Sequence, residues 1–322
     1  METLPDFTLL QPKTLAEALE AHKGNPGSRL LGGGTDLIVN LRRGIGDDPE
    51  TLIDMTRISE LKTIEGDEKA LRVGASVTLD ELANNKTVNQ HFPALSQTAA
   101  DIAGPTHQTM GTVGGNLCLD TRCVYYNQSD WWRSANDFCL KYQGEQCHVA
   151  LKSKICFATF SGDLAAAALI YHANIEIVGV EGKRTIALND LYTGDGKDYL
   201  TLNAGEIVTA LIIENTQGLK SAYDKVRTRQ SIDYPVAGVA VGLVRDGDMV
   251  TDLRVAITGT NPRPVLLEGT SELSGKLDDV LFEGLERLVK DQIMSMKTTL
   301  TPGHYRRRVA GVMAKRLIER LF

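Results

Sequence analysis

Five cysteines, Cys118, Cys123, Cys139, Cys147 and Cys156, fall in one stretch of the chain, and none lies outside it. Thiolates are soft ligands, and four of them can hold either a zinc ion or a [4Fe-4S] cluster, because both accept tetrahedral sulfur donors. The spacing, C-x4-C-x15-C-x7-C-x8-C, has neither the CxxC pairs of a zinc ribbon nor the compact CxxCxxC run of bacterial ferredoxins. It does not choose the metal. Cys118 directly continues a Gly-rich loop and reads as scaffold there, which leaves Cys123, Cys139, Cys147 and Cys156 as the ligand set. Inert buried thiols are the plainer alternative. Tyr125, Tyr126, Trp131, Trp132, Phe138 and Tyr142 lie among the cysteines. Such rings can wall a metal site from water or form a docking surface. His107 and His148 have the chemistry of ligands, although an ordinary polar role is the simpler expectation for each.

Two glycine-rich loops precede or adjoin the cysteines. In Gly32-Gly33-Gly34-Thr35-Asp36 the missing β-carbons let backbone amides approach whatever lies over the turn, which suits a pyrophosphate. The run is neither GxGxxG nor a Walker A loop, and a structural turn explains it equally well. Thr112-Val113-Gly114-Gly115-Asn116 repeats this chemistry and adds a hydroxyl and an amide. Two such loops in one half of a chain point to an extended dinucleotide. Lys225, on an expected strand, can offset the charge of a reduced flavin; taken alone, it reads as a solvated surface lysine.

The composition narrows the field. With 322 residues, 42% apolar and 24% charged, the chain can build two domains with real cores. A net charge of −6 provides no basic field to gather nucleic acid or an anionic membrane. No apolar run approaches the roughly 20 residues of a spanning helix, and the N-terminus lacks a secretory pattern. A cytoplasmic protein is expected. In a reducing compartment an odd number of cysteines argues for metal ligation over a disulfide framework.

Positioning these residues falls to alternating short elements. Helical patterns are expected at 15–22, 37–43, 93–102 and 163–170, with Thr35 and Asp36 as capping types and Asp163 at the start of the last. Thr78-Leu79-Asp80-Glu81 fits a capping box. Short strands are expected at 29–31, 51–55, 62–65, 70–74, 175–180, 184–187 and 206–214. The polar stretch Thr216-Gln217-Gly218 marks a domain boundary. Beyond it, strands at 222–227, 236–244 and 250–257, the last two separated by Asp246-Gly247, predict a hairpin. Helical patterns follow near 264–273, 278–290 and 304–321. On the last of these Val309, Val312, Met313, Leu317, Ile318 and Leu321 share a face, with Arg306, Arg307, Lys315 and Arg316 largely elsewhere. Hairpins and helices without regular βα alternation indicate an α+β fold.

The segments LLGGGTDLIVNLRRG, GPTHQTMGTVGGNLC, SGDLAAAAL, SAYDKVRTRQSIDYPVAGVAVGL and AITGTNPRPV, in that order, resemble the FAD-binding medium subunits of the xanthine dehydrogenase, or molybdenum hydroxylase, family. Ala166 departs from the proline of many relatives. The resemblance implies a two-lobed α+β FAD-binding domain of the vanillyl-alcohol-oxidase (PCMH) type over residues 1–216. A smaller domain like the carbon monoxide dehydrogenase flavoprotein C-terminal domain, with three antiparallel strands and helices, would cover 217–322. By the same resemblance, Leu31, Gly32, Gly33, Gly34, Thr35 and Asp36, with Thr112, Gly114, Gly115 and Asn116, hold the FAD pyrophosphate and neighbouring groups. Asp163 bonds the adenosine or flavin portion, and Lys225 lies near the isoalloxazine ring.

The insertion at 119–160, beginning DTRCVYYNQSDWWR, is similar to that of a reductive branch of the family acting on a phenolic acyl-CoA. There it carries an extra [4Fe-4S] cluster, whose ligands fall on Cys123, Cys139, Cys147 and Cys156. The implied assembly is a dimer of heterotrimers with a large molybdenum-cofactor subunit and a small subunit holding two [2Fe-2S] clusters. Ferredoxin is the implied donor, and no catalytic residue is expected in this chain. Electron direction is not encoded in ligand spacing, so an oxidative hydroxylase on another aromatic substrate is the first alternative. A zinc-stapled structural subunit without flavin is the second.

Overall fold

The computed structural model describes residues 3–214, 216 and 218–322; the expected boundary at Thr216-Gln217-Gly218 lies partly outside them. Near the N-terminus three short parallel strands, Thr8–Leu10, Thr51–Asp54 and Arg29–Leu31, form a sheet with Thr51–Asp54 in the middle. Helix Leu15–Gly24, capped by Thr14, packs Ala18 with Ile53 and Met55 in a small core. Strand Arg29–Leu31 thereby delivers the first glycine loop to one end of this sheet.

A second, five-stranded antiparallel sheet runs in the order Ile64–Gly66, Ala70–Gly74, Ile207–Glu214, Asn174–Gly179, Gly182–Ala187. Its central strand, Ile207–Glu214, is apolar and almost wholly buried, as a strand with neighbours on both edges must be. The expected capping box is present in full: Thr78 accepts from the Glu81 amide, and Glu81 reaches back to the Thr78 amide.

Helix Asp163–Leu169 joins this lobe to the C-terminal part. Every one of its residues is buried. Its run of four alanines presents little bulk, so it fits against helix Pro93–Asp101 on one side and strands Ala237–Asp246 and Met249–Thr258 on the other. One apolar core passes through it, from Leu95 and Leu211 to Ala240 and Ala256. Burying Leu164 and Leu169 contributes about 2 kcal/mol each.

The C-terminal sheet holds the three expected antiparallel strands, Lys220–Val226, Ala237–Asp246 and Met249–Thr258, with two-residue strands Val265–Leu266 and Gly275–Lys276 added at Met249–Thr258. Asp246 pairs with Met249 across a two-residue turn in which Gly247 takes φ +54°. Helices Asp279–Gln292 and Gly303–Leu321 cover one face. The helix expected near 264–273 does not form. Val265–Leu266 instead pairs with Ala256–Ile257, and Gly269, at φ +81°, turns the chain into a single 3-10 turn, Thr270–Leu273.

Arg306 also departs from expectation. It points into the protein, fully buried, and donates to the carbonyls of Val236, Met296 and Gly259 and to Thr298 Oγ1. A guanidinium has five donors, so one side chain ties together three segments that meet at the helix start. Among the described residues no helix is long and apolar enough to cross a membrane.

Glu176, in strand Asn174–Gly179, gives this fold an acid-sensitive bond. Burial alone would raise its pKa, but hydrogen bonds from Lys183, Arg72 and Thr209 outweigh that and hold it at about 2. A carboxylate whose folded pKa lies below its unfolded one stabilises the fold above the unfolded value and loses that contribution as pH falls through the folded value. Urea unfolding midpoints are therefore expected to drop between about pH 5 and about pH 2, and Glu176→Gln to flatten that drop. An equal acid dependence in the variant contradicts the assignment.

Candidate cofactor and metal sites

The first glycine loop is pressed against the start of the second. A β-carbon on Gly33 would stand 1.6 Å from the Met110 carbonyl oxygen, and one on Gly32 would stand 2.6 Å from Thr112 Oγ1. Only glycine permits that approach. Among the described hydrogen bonds, the amides of Gly33, Gly34, Thr35 and Asp36 donate to no protein acceptor. Successive free amides in a turn form a concave, partly positive cradle for an anionic oxygen, which is the chemistry a pyrophosphate needs. Asp36 stands at the N-terminal end of helix Leu37–Arg42 without capping it. Its carboxylate instead pairs with Arg122 and accepts from Tyr234 Oη at 2.7 Å and Asn40 Nδ2 at 2.9 Å. A cation holds a carboxylate more strongly than a neutral amide does.

The second loop differs, because its polar groups are engaged by protein. Thr112 caps helix Val113–Leu117 by accepting from the Gly115 amide at 3.1 Å, Gly114 donates to the Ala75 carbonyl, and Asn116 donates to the Thr112 carbonyl. Asn116 Oδ1 accepts from the Leu164 amide at 3.0 Å, satisfying a free donor at the start of helix Asp163–Leu169. This loop positions its neighbours.

Asp163 and Lys225 meet directly. The Lys225 side chain is fully buried, and its Nζ lies 3.1 Å from Asp163 Oδ1. Tyr223 also donates to that oxygen. Burial raises the Asp163 pKa, and Lys225 and Tyr223 oppose the rise. Lys225 is thus not the solvated lysine that it resembles in isolation. Its strand neighbour across the ladder is Gly238, which leaves room for the Tyr223 ring. Contacts therefore chain the two loops, Asp163 and Lys225 into one region: Gly32 touches Thr112, Asn116 holds Leu164, and Asp163 holds Lys225.

Beside this region, Cys123, Cys139, Cys147 and Cys156 line a single cavity together with Lys141 and His148. Three of the thiols are buried, and Cys139 is partly so. Cys118 is absent from the cavity and packs on the main core at the end of helix Val113–Leu117. Burial pushes the Cys123 thiol up to about 11, against the lowering effect of the Tyr125 and Tyr126 amides, and the Cys156 thiol up to about 12. Without a cation these sulfurs stay protonated, so metal binding must release protons. Cys156 Sγ accepts from the Ala158 amide at 3.3 Å, a bond of the kind that supports a thiolate ligand. Among the described residues no group of three or more His, Cys, Asp or Glu side chains is already drawn together as a metal site. Four thiols on one cavity wall are a donor set that zinc and an iron–sulfur cluster both accept.

His148 bonds the Phe138 carbonyl and lies 5.3 Å from the Tyr125 ring, an ordinary polar and packing role. Tyr125 and Tyr126 face the cavity, Trp132 leans on Tyr125, and Trp131 is 77% exposed. The rings thus divide between a wall and an outer surface. Lys141, which no spacing marks, has a buried side chain that donates to Asp120 Oδ1, Thr121 Oγ1 and the Gly196 carbonyl. Asp195 Oδ1 in turn accepts from the Cys156 amide at 3.0 Å.

Residues 5–214 match the family described as FAD binding domain in molybdopterin dehydrogenase, and residues 221–321 match the CO dehydrogenase flavoprotein C-terminal domain. The chain is 32% identical over 271 residues to the aldehyde oxidoreductase FAD-binding subunit PaoB of Escherichia coli (strain K12), covering 81% of this chain and 84% of that one. It is 25% identical over 311 residues to the xanthine dehydrogenase FAD-binding subunit of Escherichia coli O157:H7, covering 95% and 92%. The fold is similar to a chain of the cyanide-inactivated Cu,Mo-CO dehydrogenase crystal structure, with a TM-score of 0.81 at 25% identity over 99% of this chain and 98% of that one.

Proposed function

Because this chain belongs to the family of FAD-binding medium subunits of the molybdenum hydroxylases, we propose that it is the FAD- and [4Fe-4S]-carrying electron-transfer subunit of a 4-hydroxybenzoyl-CoA reductase. When bound, the two groups supply the carriers that connect a reduced ferredoxin with the [2Fe-2S] centres of a small subunit and the molybdenum cofactor of a large one, where the phenolic hydroxyl is removed reductively. In this reading the assembly is a cytoplasmic dimer of heterotrimers, and this chain makes no bond to the thioester.

The protein's own residues hold and tune. The free amides of Gly33 to Asp36 take the pyrophosphate, with Thr112, Gly114, Gly115 and Asn116 holding the loop in place. Lys225, held in place by Asp163, lies near the flavin ring. Cys123, Cys139, Cys147 and Cys156 take the iron, and the tyrosines beside them limit water, which influences potential through the local dielectric.

The observation that carries this proposal is the convergence of four thiols on one cavity in an insertion anchored beside the amide cradle. Its test is to co-purify the subunits and assay 4-hydroxybenzoyl-CoA with a low-potential donor: benzoyl-CoA formation supports the reading. The 32% identity with an aldehyde oxidoreductase subunit favours a second reading, an oxidative hydroxylase of the same family. Oxidation of an aromatic aldehyde, with no reduction of the thioester, selects that one.

A further inference from the structure

Arg122 stands between the two sites. It precedes Cys123 in sequence, and its backbone closes the neck of the cysteine insertion: Arg122 and Thr159 exchange hydrogen bonds of 2.8 and 2.7 Å as an isolated antiparallel bridge. That neck is fixed from the far side too. Val124 donates to the Thr298 carbonyl, Thr159 Oγ1 lies 2.6 Å from Thr298 Oγ1, and Thr298 Oγ1 accepts from the buried Arg306.

From this neck the Arg122 side chain leaves the insertion and crosses to the amide cradle. There it pairs with the Asp36 carboxylate, and its guanidinium lies 4.0 Å from the centre of the Tyr234 ring, whose hydroxyl bonds the same carboxylate. Tyr234 closes a segment tied down by Arg227 on Asp101 and by Ile232 on the Ala103 carbonyl. Arg122, Asp36 and Tyr234 therefore hold three separate pieces of chain in one arrangement. Arg122 Nε is buried and has no protein acceptor among the described residues.

We propose that Arg122 is a positioning residue of the flavin site and makes flavin affinity depend on order in the cysteine insertion. Arg122 keeps Asp36 and Tyr234 in the arrangement that shapes the amide cradle. A filled cysteine site adds to the bonds that already hold the neck, and emptying it loosens the neck and with it Arg122. The coupling rests on the reading of the cavity as a cluster site, whereas the direct role of Arg122 at the cradle does not.

The test is an FAD titration of deflavinated protein, followed by flavin fluorescence, on wild type, Arg122→Ala and Arg122→Lys, each with iron and after chelation. Far-UV circular dichroism and iron assays are run on the same samples. Arg122→Ala is expected to weaken FAD binding by about tenfold or more, and Arg122→Lys, which keeps the charge, to recover part of the loss. Iron removal should weaken FAD binding to wild type and leave Arg122→Ala nearly unchanged, since both act through one link. Wild-type affinity in Arg122→Ala overturns the proposal, as does an equal loss on chelation in both proteins. If wild type carries no iron, the cluster reading fails; the cycle is then closed with Cys139→Ser in place of chelation, and Arg122 is judged on its own result.

Discussion

Replacing Cys139 by serine is expected, on the proposed cluster assignment, to abolish iron binding while leaving most of the chain folded. The reason lies in where the cores are. Two large apolar cores and one small one take only Leu119 and Phe160, at the two ends of the insertion, from it, whereas the apolar cluster beside the cavity holds just Ile45, Cys123, Tyr126, Cys156 and Ala158 as buried members. So few apolar side chains supply little of the free energy that orders the segment. A structural metal can supply it, since its binding free energy, about 10–16 kcal/mol for zinc in small domains, acts directly as folding free energy. Loss of one thiolate should thus remove the reduced-state magnetic resonance signal and open the insertion to protease, with only a small change in far-UV circular dichroism. Cys118→Ser, altering a thiol that packs on the main core, should keep its iron. A full iron complement in Cys139→Ser removes that residue from the ligand set.

The second large effect concerns Lys225→Met, expected to destabilise the fold by about 3–5 kcal/mol at neutral pH, because it leaves the buried Asp163 carboxylate without its cation. Burial already holds the Asp163 pKa above the usual carboxylate range. A carboxyl whose folded pKa exceeds its unfolded one binds its proton more readily when folded, so its ionisation destabilises the fold as pH rises past the unfolded value. The deficit of Lys225→Met should therefore be largest at neutral pH and shrink towards acid, and the double variant Lys225→Met/Asp163→Asn should recover much of it. Urea unfolding by circular dichroism measures all three. A neutral-pH loss comparable with a surface substitution, below about 0.5 kcal/mol, refutes the buried pair.

Local grammar was legible in the sequence. The alanine run after Asp163, the Asp-Gly turn before Met249 and the Thr78–Glu81 box each state their structure within a few residues, and each is present. Elements fixed by distant partners were not legible. Val265–Leu266 carries too few residues to announce a strand, and only its pairing with Ala256–Ile257 makes it one. Arg306 sits on a helix whose periodicity describes apolar residues, so nothing local reveals that its acceptors come from three other segments.

The same division runs through the sites. Confinement of the cysteines to one stretch suggested a common site, and four of them do line one cavity. The glycine loops were visible as loops, yet only the structure distinguishes a cradle of open amides from a loop whose amides are taken up by Thr112 and Ala75. No local chemistry marks the roles of Lys141, Arg122 and Tyr234. Their importance comes from what they touch across the fold, and Tyr234 reaches Asp36 from 198 residues away.

Metal, sulfide and flavin analysis of the purified protein, with magnetic resonance after reduction, tests the central claim most directly. The account predicts iron and acid-labile sulfide in equal amounts, one cube's worth per chain, together with FAD and a signal from a reduced [4Fe-4S] cluster. Zinc in place of iron, with neither sulfide nor flavin, would contradict it.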